Sequence, residues 1–120
     1  MQQTGGMARM SKEMQECVDA CLACHSMCEE TMSYCLQQGG RMDARIMRAL
    51  MDCTDMTRMC ADMMMRRSPL AAEVSAMCAK ACEMCAEACR SVPDDQQLAR
   101  CAEAAARCAE KCRAMTGVRA

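Results

Sequence analysis

Between positions 17 and 28 the chain places cysteines at Cys17, Cys21, Cys24 and Cys28, in steps of four, three and four residues. On an α-helix those steps return to nearly one direction, so the four thiols stack along a single stripe. The same spacing recurs at Cys78, Cys82, Cys85 and Cys89. A chain that twice builds a rod of sulfur reads most simply as a binder of soft metal ions.

The rest of the sequence must be consistent with sulfur in its interior. The 120 residues fit one domain. There is no Trp, no Phe and a single Tyr, Tyr34, and Leu, Ile and Val together number only ten. That is too little for an ordinary core, so the 14 Cys, the 17 Met and many Ala must fill it. Free Cys and Met serve there as small and pliable hydrophobes. The net charge of −1 offers no basic field for nucleic acid. No run approaches 18 apolar residues, so no membrane span is expected. No signal peptide is legible before Met14, and so many thiols suit a reducing cytosol. An export signal removed earlier would leave the same sequence.

Residues 1–10 read as a tail, with Gly5 and Gly6 as breakers, and 11–116 as one domain. Helical periodicity predicts four helices, over about 11–38, 42–66, 69–90 and 94–115. Ser11 is the expected cap of the first, and Gly39-Gly40 its stop. Helix 2 carries Ile46, Ala49, Cys53, Met56, Cys60 and Met63 on one face. Ser68-Pro69 reads as a capped restart. Asp94, with Gln97 three residues on, reads as a capping box for the fourth helix. That helix presents Cys101, Cys108, Cys112 and Met115, and Cys35 extends the stripe of the first. Short connections favour antiparallel neighbours, so the predicted fold is an all-α, up-down-up-down four-helix bundle. Helices 1 and 3 share the four-cysteine spacing, and helices 2 and 4 share Cys-x6-Cys, as two fused hairpins would.

Fourteen cysteines in a short chain also fit a disulfide scaffold, but the spacing favours chelation. Residues four apart on a helix have Cβ atoms roughly 5–6 Å apart, whereas a disulfide wants about 3.5–4.5 Å. Two thiolates flanking a metal at about 2.3 Å each stand at most about 4.6 Å apart, within side-chain reach. Cys17/Cys21, Cys24/Cys28, Cys78/Cys82, Cys85/Cys89 and Cys108/Cys112 are the expected pairs. Nearly pure thiolate with thioether nearby selects Cu(I), zinc or iron–sulfur clusters. Zinc prefers closed sets of four, and ferredoxin-type clusters use cysteines on irregular loops, often followed by Pro. Cu(I) accepts two or three sulfurs and shares thiolates, so a continuous column suits several Cu(I) ions per chain. A copper chaperone, another soft-metal protein and a structural bundle are the alternatives. No nucleophile–base pair, phosphate loop or paired carboxylate suggests an enzyme.

From about Met10 to Met115 the chain resembles the copper storage proteins, a family of cysteine-rich four-helix bundles. The resemblance rests on Cys17-x3-Cys21-x2-Cys24-x3-Cys28, Cys78-x3-Cys82-x2-Cys85-x3-Cys89 and Cys108-x3-Cys112. It implies a core filled with many Cu(I) ions bound by cysteine pairs, often in a homotetramer. Some members are exported and others cytosolic.

Smaller expectations follow for single residues. His25 points away from the stripe and reads as a surface or helix-interface residue. Tyr34 should pack beside Cys35 with its hydroxyl in water. Met47, Leu50, Met51 and Met65 fall on the flanks and back of helix 2, a face suited to a homo-oligomer contact, dimer or tetramer. In an antiparallel bundle Met7, Met10, Met14, Met63, Met64 and Met115 gather at one end, where copper would enter near Met10, Met14, Met63 and Met115. Leu36, Ile46, Val92 and Leu98 gather at the other as a plug.

Overall fold

The computed structural model describes residues 10–39 and 43–116. Within them lie four helices and no strand: α1 (Lys12–Gln37), α2 (Ala44–Met65), α3 (Ala71–Arg90) and α4 (Gln96–Thr116). Each helix packs on two neighbours, α1 on α2 and α4, and α3 on α2 and α4, so they stand in a ring. The sulfur contacts give the directions. Cys17 meets Cys112 while Cys28 meets Cys101; Cys53 meets Cys82 while Cys60 meets Ser75. As numbers rise on one helix they fall on the next, which is the up-down-up-down bundle that the short connections predict. No helix among the described residues is long and apolar enough to cross a membrane.

Local chemistry sets where the helices begin and end. Ser11 caps α1 as expected, its hydroxyl accepting the Met14 N–H at 3.1 Å. Asp43 does the same for α2 through Ile46 N–H, at 2.9 Å. Gly39, at φ +65°, supplies the left-handed residue after α1; Gly40, Met42 and most of the expected tail lie outside the described residues. Met10, assigned to that tail, instead packs half-buried against the core. At the end of α2 the left-handed position is taken by Arg67, at φ 51°. The Arg67 N–H bonds Met64 O at 3.1 Å and the Ser68 N–H bonds Met63 O at 2.9 Å, closing the α2 carbonyls.

Two expected caps are corrected. Ser68 does not cap α3: its hydroxyl accepts the Leu70 N–H at 3.0 Å and closes a separate turn. The Ala71 N–H closes that turn on Ser68 O at 3.0 Å, and the helix starts at Ala71, without a side-chain cap. For α4 the cap is Asp95, not Asp94, with Oδ1 accepting from Leu98 N at 2.9 Å. Gln97, cast as its capping-box partner, reaches across to α1 and donates to Thr31 Oγ1 at 3.0 Å.

The core is sulfur and alanine with very few large groups. Ile46, Leu50, Met64 and Leu98 are its fully buried large apolar side chains. Leu50 was placed on the outer side of helix 2 by the sequence, yet it is 0% exposed. The inward face of α2 is Ile46, Leu50, Cys53, Thr54, Thr57, Cys60, Ala61 and Met64, rotated from the predicted stripe because two buried threonines belong to it. Thr54 and Thr57 satisfy their hydroxyls on the carbonyls of Leu50 and Cys53, at 2.8 Å each, which removes the cost of burying them. Leu36 is 73% exposed and is no part of a plug; Ile46 and Leu98 are buried there and Val92 packs half-buried against the core. The hydroxyl of Tyr34 is not left to water: it donates to Asp95 Oδ2 at 2.5 Å and ties the end of α1 to the start of α4.

Candidate metal centre

All fourteen predicted cysteines point inward and none is more than 2% exposed. All are free thiols, so the disulfide scaffold is not what this bundle uses. Their sulfurs line the axis in contact: Cys21–Cys108 and Cys24–Cys53 at 3.6 Å, Cys21–Cys112 and Cys53–Cys82 at 3.7 Å. Four groupings bring every sulfur within 4.8 Å of the others. Two are sets of four, Cys17/Cys21/Cys60/Cys112 and Cys21/Cys78/Cys108/Cys112. Two are sets of three, Cys24/Cys53/Cys82 and Cys28/Cys85/Cys101. Thiolates at about 2.3 Å from one ion stand about 4.6 Å apart in a linear pair and about 4.0 Å apart in a trigonal set. The groupings therefore need only small side-chain rotations to close on an ion.

Most of these contacts run between helices, which sequence spacing could not show. Cys17 and Cys21 share a set, Cys108 and Cys112 share a set, and Cys78 lies 3.9 Å from Cys82. Cys24 and Cys28 fall into different triads, and Cys85 joins one that lacks Cys89. Cys35 and Cys89 belong to none of the four groupings. Cys21 and Cys112 belong to both sets of four and so would bridge neighbouring ions.

Protons are distributed unevenly along the column. Cys108 is pushed far up by its hydrogen bonds to Cys112 and Cys21, and Cys112 is pushed far down by those to Cys108, Cys17 and Cys21. Cys78 is held down to about 2, chiefly by Cys108. Cys28 is held down to about 5, chiefly by the hydrogen bond from Cys101. Each half of the column thus holds thiolate character stabilised by neighbouring S–H groups. Cys89 is pushed up to about 12 by its hydrogen bond to Cys101 and by burial. Cys35 is pushed up by burial and by the charges of Cys89, Asp95 and Cys101.

The two ends of the column differ. Around Cys17, Cys60 and Cys112 stand thioethers: Met10, Met14 and Met63 half-buried, and Met115 buried. Met64, one turn from Cys60, is 1% exposed and more deeply set than Met63; the rotation of α2 by its threonines puts it there. Met7 lies outside the described residues. His25 sits on the outer wall between α1 and α2, its Nδ1 3.1 Å from the Thr54 carbonyl, so the helix-interface reading holds. Glu103 and Arg107 are exposed.

Fold and site together define a cysteine-lined four-helix bundle. The profile of the copper storage protein family matches residues 10–117, and the chain belongs to that family. Among solved structures, the Cu(I)-bound copper storage protein BsCsp3 is 29% identical with a TM-score of 0.83, covering 88% of this chain and 100% of its own. Copper storage protein 3 of Bacillus subtilis in its apo form is 30% identical with a TM-score of 0.77, over 86% of this chain and 98% of its own. The Nmul_A1745 protein of Nitrosospira multiformis is 28% identical with a TM-score of 0.82, over 90% and 98%. Among curated proteins, no sequence is significantly similar to this one.

Proposed function

We propose that this protein is a cytosolic Cu(I) store, holding several ions per chain on the thiolates of its core. The observation that carries this reading is the charge of the buried column. The polar side chains buried among the described residues are Thr31, Thr54, Thr57 and Ser75, with no buried cation among them. Thiolates sealed from water must then be neutralised by the metal itself. One Cu(I) per thiolate leaves the interior neutral, whereas Zn2+ on four thiolates leaves a buried double negative charge. An iron–sulfur cluster needs room between its cysteines for iron and sulfide, and sulfurs 3.6–3.9 Å apart leave none. The shared thiolates Cys21 and Cys112 suit a run of linked Cu(I) ions, a soft cation on soft ligands.

Copper enters at the methionine end, past Met10, Met14, Met63 and Met115. Thioethers carry no charge and bind Cu(I) weakly, so they pass an ion inward without holding it. The chain acts as a store, not an enzyme. It associates with copies of itself through α2, where Met51 and Met65 are exposed. Replacing Met47 and Met51 by Glu should lower the mass seen by light scattering.

The deciding experiment is anaerobic Cu(I) titration of the reduced protein against a chromophoric chelator. Storage requires saturation at several ions, on the order of one per one or two thiolates. Saturation at one or two ions would overturn it in favour of a chaperone.

A further inference from the structure

We propose that the outer wall between α1 and α2 carries a second metal site, for a borderline divalent cation, built on the imidazole of His25 and the carboxylate of Glu29. It is separate from the sulfur column and uses different chemistry.

The tautomer of His25 is fixed by its neighbour. Nδ1 lies 3.1 Å from the main-chain carbonyl of Thr54. A carbonyl only accepts, so Nδ1 must carry the hydrogen. In the neutral ring Nε2 is then a bare lone pair. That lone pair faces a carboxylate oxygen of Glu29, one helical turn on, at 3.7 Å. Two acceptors therefore confront each other, too far apart for a hydrogen bond and with room for a cation between them. An imidazole whose far nitrogen is anchored on a carbonyl is the usual arrangement of a metal-ligating histidine.

Among the described residues no third His, Cys, Asp or Glu ligand atom lies within 4.8 Å of both His25 and Glu29, so water would complete the shell. His25 and Glu29 border a depression of about 520 Å³ that Asp55 and Asp62, and also Arg58 and Arg66, line. Asp62 is engaged by Arg58 at 3.5 Å, whereas Asp55 has no ion-pair partner among the described residues. Nitrogen with carboxylate oxygen and water suits Zn2+ or Cu2+, not Cu(I). His25 side-chain exposure is 19% and that of Glu29 is 58%, so an ion can arrive from solvent.

The chain has one histidine, so the imidazole is its own reporter. Protein saturated with Cu(I) is titrated with Zn2+ while the two His25 nitrogens are followed by long-range proton–nitrogen correlation. The site requires that Nε2 leave its pyridine-type position on Zn2+ addition while Nδ1 stays protonated. Glu29→Gln should weaken the response roughly tenfold. A ring unmoved by millimolar Zn2+, one doubly protonated throughout as a plain ion pair with Glu29, or a response unchanged in Glu29→Gln would each overturn the proposal. Failure to take up Cu(I) would end the storage reading without touching this one, because excess Zn2+ then fills the thiols first and His25 is read afterwards.

Discussion

The two halves of the sulfur column each bring six cysteines into metal-sized groupings and are not alike. The half near Met10 and Met115 uses Cys17, Cys21, Cys60, Cys78, Cys108 and Cys112 in two overlapping sets of four. The far half uses Cys24, Cys28, Cys53, Cys82, Cys85 and Cys101 in two separate triads, with Cys35 and Cys89 beyond them. The first half ends in thioethers. The second is closed by Ile46, Leu98 and the Tyr34–Asp95 hydrogen bond. The contrast teaches that ligand density and closure are traded along one axis. Where sulfur crowds, the rim is left soft; where large apolar groups and side-chain hydrogen bonds seal the bundle, fewer thiols meet.

The sharpest way to break this contrast is to remove shared ligands. Cys21→Ala with Cys112→Ala strikes both sets of four. Cys24→Ala with Cys101→Ala removes one member from each triad. Because Cys21 and Cys112 each serve both sets of four, the first pair should lose more Cu(I) ions than the second, which loses about two by charge balance, as read by anaerobic titration. Equal losses would mean that the overlapping sets do not share ions.

Stability should separate the halves next. Leu50 and Leu98 are fully buried, so Leu50→Ala or Leu98→Ala should cost the apo protein about 2–5 kcal/mol in urea denaturation. Met10, Met14, Met63 and Met115 changed together to Leu keep volume, and each swap should cost under about 1.5 kcal/mol. That variant should keep its copper capacity and exchange ions several-fold more slowly in stopped-flow transfer. Unchanged rates would make these methionines core filler.

A smaller effect tests the far-end closure. Asp95 both caps α4 and accepts from Tyr34. Asp95→Ala should therefore cost about 2 kcal/mol, and Tyr34→Phe about 1 kcal/mol, by the same denaturation assay. The smallest loss of capacity belongs to Cys35→Ala and Cys89→Ala. Cys89, pushed up to about 12, keeps its proton at neutral pH. Cys28 is held down to about 5, chiefly by Cys101. Titrations at pH 6 and pH 8 should accordingly show Cys28 contributing alike at both, and Cys89 contributing more at the higher pH. Equal contributions from Cys89 at both would sink the assignment.

Much of this was written in the order of residues. Steps of three and four between cysteines can be satisfied along one line only by a helix, so the four helices, their short antiparallel links and the inward thiols follow from spacing alone. Ser11 as a cap and Gly39 as a stop follow from local backbone chemistry in the same way. Partnership across the bundle does not. Helix rotation depends on which residues fill the centre, and the hydroxyls of Thr54 and Thr57 can be buried because each finds a carbonyl one turn back. That turned α2 enough to bury Leu50 and Met64. Cys24 and Cys28 sit four apart in sequence yet part company, because Cys53 of α2 claims one and Cys101 of α4 the other. Asp95 in place of Asp94, Gln97 reaching to Thr31, and Tyr34 finding a carboxylate 61 residues away were likewise decided by packing. A periodic pattern fixes which way a side chain points from its own axis; only the assembled bundle fixes what stands opposite it.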